Sequence, residues 1–90
     1  MNKFKLYIAG QSAKDELIIN NVTQILKGEY QTAYHLEIIN VIEHPEQAAH
    51  DNILATPTLV KYDPRPVRRI IGDFSNKTKV LAGLELITKK

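Results

Sequence analysis

Hydrophobic positions recur along the chain with two different periods, and the changes of period divide it into elements. Phe4, Leu6 and Ile8 alternate with Lys5 and Tyr7, a period of two that predicts a strand over 4–9, closed by Gly10. Next, Ile18, Val22, Ile25 and Leu26 fall at i, i+4, i+7 and i+8, one face of a helix that leaves Asn20, Asn21 and Lys27 outside. Ser12-Ala13-Lys14-Asp15 has the spacing of a capping box at the helix start, and Gly28 offers a stop. The run 34–42 is dense in apolar, largely β-branched residues, with Glu37 pointing outward. It predicts a second strand, central in its sheet and well covered. His44-Pro45 breaks that strand, and 45–50 reads as a short helix with proline in its first turn.

The second half is shorter in rhythm. Residues 55–62 read as an extended run bounded by Asp63-Pro64. Residues 67–71 follow a turn that holds Pro64 and Pro66, so the two runs predict an antiparallel hairpin. Gly72-Asp73 ends it. Ser75 or Asp73 can cap a last helix through Val80, Leu84 and Ile87. The sum is β-α-β-α-β-β-α, with the first two strands parallel through a right-handed crossover. This is the order of thioredoxin-like domains. The last segment also fits a strand, because Val80, Ala82, Leu84 and Leu86 alternate with their neighbours. Gly83 adds to the ambiguity, since mid-helix glycine costs about 1 kcal/mol relative to alanine. The run 68–71 is too short for periodicity to decide its type.

Composition narrows what this domain can do. Ninety residues make one domain, and 43% hydrophobic content with a net charge of +2 argues against disorder. No apolar run approaches the roughly 20 residues that span a bilayer, and the N-terminal stretch is unlike a secretory signal, so a cytoplasmic protein is expected. The chain has no cysteine. Thioredoxins carry two in the loop after the first strand, which here is Gly10-Gln11-Ser12-Ala13. Disulfide exchange needs a thiolate and has none available. Ser12 reads as a cap, with no base placed to activate it. Thr56-Pro57 stands where thioredoxin-like domains hold a cis proline before the third strand; the plainer reading is a proline that starts a strand. His44, His50 and Asp51 have no metal-ligand spacing and read as surface groups. Lys61, Arg65, Arg68 and Arg69 form the densest basic stretch. Low net charge and few aromatics favour a protein-binding patch there over a nucleic-acid site.

Four blocks carry a closer resemblance: 5–10 (KLYIAG), 53–59 (ILATPTL), 66–76 (PVRRIIGDFSN) and 79–84 (KVLAGL). They resemble the KaiB family of bacterial circadian-clock proteins nearly end to end. The resemblance implies a non-enzymatic binding protein without cofactor, acting on the KaiC-type ATPase and modulating its phosphorylation and ATPase cycle. KaiA-like or histidine-kinase clock components are further implied partners, as is self-association to a dimer or tetramer; nucleic acid and membrane are not. It assigns partner contacts to Lys5, Glu37, Asn52, Leu54, Lys61, Arg68 and Arg69.

The resemblance also implies two folds for one chain. The first half, β-α-β, is shared. The second half is either an oligomeric ground state, β-α-β-β-α-α-β, expected of free protein in a crystal, or a rarer thioredoxin-like monomer, β-α-β-α-β-β-α, that binds KaiC. Pro57, Pro64, Pro66, Gly72, Gly83 and Glu85 are the positions implied for the exchange, and prolyl isomerisation is slow enough to retard it. Departures from the cyanobacterial pattern lie at Leu17, Glu37 and Asn52, where basic residues are usual, and at Arg65, where proline is. They leave open a homologue that serves stress adaptation outside a full oscillator. A thioredoxin-like peroxidase or glutathione transferase, and a sensor module of clock histidine kinases, are the competing classes.

Overall fold

The thioredoxin-like order is the one this chain adopts in a computed structural model describing residues 1–10 and 12–84. The elements are β1 (Asn2–Ile8), α1 (Ala13–Tyr30), β2 (Tyr34–Asn40), α2 (Pro45–His50), β3 (Thr58–Asp63), β4 (Arg68–Ile71) and α3 (Lys77–Gly83). They build a four-stranded sheet of order β2-β1-β3-β4. β1 runs parallel to β2 and antiparallel to β3, and β3 pairs antiparallel with β4.

The period of two in β1 sorts the sheet's two faces. Phe4, Leu6, Ile8 and Leu59 meet Ile18, Val22, Ile25 and Leu26 of α1 and Val80 and Leu81 of α3 in the main core. On the other face Tyr7, Ile39 and Val60 form a smaller core, closed by Ala48 of α2 and by Val41, Ile53 and Tyr62. One layer of helices therefore covers one face fully, while the six-residue α2 covers only part of the other. Tyr7 alternates with core residues yet is fully buried, because α2 lies over it.

Local chemistry sets the boundaries. Both bonds of the capping box form at α1: the Asp15 N–H donates to the Ser12 hydroxyl at 3.2 Å, and the Ser12 N–H donates to the Asp15 carboxylate at 3.0 Å. The helix runs through Gly28 to Tyr30, and Gln31 closes it at φ 58°. Pro45 opens α2, where its missing N–H costs nothing.

Two expectations change. β2 is an edge strand rather than a central one, with Ile38 43% exposed. Its apolar residues belong to two different faces, and that composition does not require a neighbour on both sides. The cap of α3 is Asn76, whose side chain accepts from the Lys79 N–H, not Ser75 or Asp73. Asp73 is engaged instead with the N–H and hydroxyl of Ser75, which hold its carboxyl below the usual range. Leu86 and Ile87, named for the last element, lie outside the described residues, as does Glu85.

Candidate functional site

Strand register lines up one row of side chains across the sheet on the α2 side. Glu37 of β2 pairs with Lys5 of β1, Lys5 with Val60 of β3, and Val60 with Arg69 of β4. Directly paired residues share a face, so an acid and two bases stand together around an apolar centre. Lys5 reaches over that centre. Its Nζ lies 5.0 Å from the Tyr62 ring centroid and 3.5 Å from Asp51 Oδ2.

Asp51, at the C-terminal end of α2, joins the helix to the row. The Tyr7 hydroxyl donates to its carboxylate, and His50 Nδ1 lies 3.2 Å from the other carboxylate oxygen. Arg69 Nη2 donates to the Asp51 carbonyl at 2.8 Å, a cation on the negative end of the helix. Burial alone would raise the Asp51 carboxyl. Hydrogen bonds from Tyr7 and His50 and the charge of Lys5 outweigh it and hold the group below the usual carboxylate range. Burial, then the Asp51 carboxylate, drive the Tyr7 phenol far above its ordinary value. Tyr7, Asp51 and Lys5 thus form a fixed polar latch between α2 and β1.

Beyond the latch the chain turns outward. Asn52 takes φ 56°, and Leu54 stands 94% exposed. Leu54 borders a shallow hollow of about 440 Å³ with Val41, Pro45, Ala48, Ile53 and Thr56. Five of the seven residues assigned to partner contact therefore gather on this side: Lys5, Glu37, Asn52, Leu54 and Arg69. The other two do not. Lys61 and Arg68 pair with each other on the opposite face. Lys61 is only 8% exposed and donates to the Pro64 carbonyl at 2.8 Å, which ties the hairpin turn. Arg68 borders a hollow with Val67 and Gly83.

The positions assigned to fold exchange cluster in the second half. Thr56-Pro57, Asp63-Pro64 and Arg65-Pro66 are cis. Gly72 takes φ 150°, a region that side chains avoid, and donates its N–H to the Pro57 carbonyl at 3.4 Å. Gly83 abuts Ile70.

Sequence reading missed Tyr7, Asp51 and Tyr62. In the sequence Asp51 stands out only beside His44 and His50, and no group of His, Cys, Asp and Glu suited to a metal occurs among the described residues. The one sequence signal for the latch was Tyr7 itself, an aromatic residue sharing Lys5's side of a strand otherwise polar on that side.

Comparison with known proteins gives the chain's relatives and the fold's neighbours. The KaiB domain profile matches residues 5–86. The chain is 48% identical over 83 residues to the "Circadian clock oscillator protein KaiB" of Prochlorococcus marinus strain MIT 9312, covering 92% of this chain and 79% of that one. The same identity relates it to the proteins of that name from Thermosynechococcus vestitus and Synechococcus elongatus, covering 77% and 81% of their lengths. Among solved structures, the N-terminal domain of Synechococcus elongatus SasA superposes with a TM-score of 0.76 at 20% identity, covering 99% of this chain and 88% of that domain. Yeast mitochondrial thioredoxin 3 gives 0.71 at 20% identity, covering 96% and 78%. At that identity these two likenesses concern the fold.

Proposed function

The chain belongs to the KaiB family, and from that premise we propose that it is a non-enzymatic regulatory protein that binds a KaiC-type ATPase and modulates its cycle, in a circadian or clock-derived timing system. The contact surface in this reading is the α2 side of the sheet: Lys5, Glu37 and Arg69 in one row, with Asn52 and Leu54 on the segment after α2. The observation that supports it is the gathering of those five residues beside an exposed leucine and an apolar hollow. Desolvated apolar anchors ringed by charge suit a protein partner. A chain without cysteine has no thiol chemistry to offer in a thioredoxin-like frame, which supports binding over catalysis.

The same reading carries the fold exchange. The arrangement described above is the form that engages the ATPase, and Pro57, Pro64, Pro66, Gly72, Gly83 and Glu85 govern its exchange with a second, oligomeric packing. Two packings of one sequence coexist only when they differ by a few kcal/mol. KaiA-like proteins and clock histidine kinases are the further partners proposed. The test is co-elution with the cognate ATPase after incubation for hours, with the ATPase in each phosphorylation state. A stable complex in at least one state is expected. No complex in any state refutes the reading.

A further inference from the structure

Helix α2 ends in a turn whose bonds fix where the chain goes next. The Asn52 N–H donates to the Ala49 carbonyl at 3.2 Å, and the Ile53 N–H donates to the Ala48 carbonyl at 2.9 Å. These are the two bonds of a Schellman motif, with Asp51 as the C-cap, Asn52 the first residue past it and Ile53 the second. The motif needs a left-handed residue at the position of Asn52, which takes φ 56°. Glycine is the usual occupant, and asparagine is one of the few other residues that visit this region routinely. The apolar contact that accompanies the motif is present as well, since Ala48 and Ile53 pack on the same small core.

A six-residue helix has little stability of its own, so its end must be held from outside. Asp51 is held by both its side chain and its backbone. Its carboxylate accepts from the Tyr7 hydroxyl and, at 3.5 Å, from Lys5 Nζ; its carbonyl accepts from Arg69 Nη2 at 2.8 Å. Tyr7 is fully buried in β1, which makes its hydroxyl a fixed point. Three residues past Asp51 stands Leu54, exposed on the rim of the hollow that Ala48 and Ile53 help to line. An exposed side chain takes its direction from the backbone that carries it.

We propose that Tyr7, Asp51 and Asn52 are positioning residues of the partner surface: the Tyr7–Asp51 hydrogen bond and the left-handed turn at Asn52 aim Leu54 and shape the hollow beside it. The inference rests on the assignment of the α2 side as that surface. It gives Asn52 a role through its backbone, where residue type alone suggests a contact through the amide. A contact segment fixed before binding loses less freedom on association, and that difference appears as affinity.

The experiment measures two things on the full chain: the dissociation constant for the cognate ATPase and hydrogen exchange at the Ile53 amide. Asn52→Gly and Asn52→Val both delete the amide group, but only glycine adopts the left-handed region without strain. Asn52→Gly is expected to bind at least about tenfold more tightly than Asn52→Val, and to exchange Ile53 at least about tenfold more slowly. Tyr7→Phe keeps the ring in the core and deletes the hydroxyl; faster Ile53 exchange and roughly fivefold weaker binding are expected. In a Leu54→Ala background the binding losses from Tyr7→Phe and Asn52→Val are expected to shrink, because the side chain they aim is gone. Equal binding by the two Asn52 variants, Ile53 exchange that ignores all three substitutions, or losses that simply add to that of Leu54→Ala would overturn the inference. A wild type that binds no ATPase refutes the assignment of the surface instead, and the Ile53 exchange ranking then decides whether Tyr7 and Asn52 fix the turn.

Discussion

The polar latch between α2 and the sheet hangs on Asp51. It takes Lys5 at 3.5 Å, His50 at 3.2 Å and the Tyr7 hydroxyl at once. Asp51→Asn leaves those partners with a neutral amide, and a loss of roughly 1–3 kcal/mol of unfolding free energy is expected, read from urea denaturation. The pH dependence follows from the lowered carboxyl. A depressed folded value means that the stabilisation is full at neutral pH. It fades as pH falls below about 4, first through the unfolded value and then through the folded one. The Asn variant is expected to show a shallower acid limb than wild type; an unchanged limb would remove Asp51 from the account. Tyr30 is the opposite case. Its ring packs 5.6 Å from Phe4, but its buried hydroxyl has no partner among the described residues, and burial raises its pKa. Tyr30→Phe removes that cost and is expected to stabilise by up to about 1 kcal/mol, where a loss of stability would show that the hydroxyl is satisfied. Residue type alone announced neither role, because both depend on which chain segment lies overhead. Lys61 makes the same point: its charge suggested exposure, yet it sits on the core side with its ammonium on a carbonyl.

At the scale of elements, local chemistry was legible and neighbourhood was not. The capping box at Ser12, the proline start of α2 and the period of β1 are written in adjacent residues, and the fold uses each as read. Which strand lies at an edge depends on distant pairing, so β2's apolar content misled. The start of α3 was blurred by Asp73, Ser75 and Asn76, three cap-forming residues in four positions; only the fold decides that Asn76 caps. Gly83, which kept the last segment ambiguous, ends α3 here. At the last position of the helix a better helix former gains less than the roughly 1 kcal/mol of a mid-helix site. An alanine Cβ there would meet Ile70 Cγ1 at 2.9 Å and Cδ1 at 3.0 Å, and Cγ1 is bonded directly to the branched Cβ of a half-buried, stiff side chain. The balance disfavours Gly83→Ala in this arrangement. Faster amide exchange at Ala82 and Leu84, and a smaller population of the thioredoxin-like arrangement by NMR, are expected. Slower exchange would mean that the gain in helix propensity dominates.

The whole molecule divides its labour between the two faces of one sheet. One face, under α1 and α3, holds nearly all of the core and supplies stability. The other is half covered by a six-residue helix, which leaves charge, a hollow and an exposed leucine available to a partner. The absence of cysteine removes the redox chemistry that this frame carries in thioredoxins. The fold order and family were readable from the chain because both rest on contiguous patterns. Of the seven residues named for partner contact, five converge on the α2 side, while Lys61 and Arg68 turn to the other face, because alternation along β3 and β4 separates them from Arg69. One binding measurement tests the central claim most directly. The cognate KaiC-type ATPase, incubated for hours with wild type, Leu54→Glu and the opposite-face control Lys79→Glu, is titrated to obtain each dissociation constant. Leu54 is exposed and structurally idle, so Leu54→Glu is expected to keep wild-type stability and weaken binding at least about tenfold, with Lys79→Glu unchanged. Equal affinities for all three proteins, or no binding by wild type, would contradict the assignment of the α2 face.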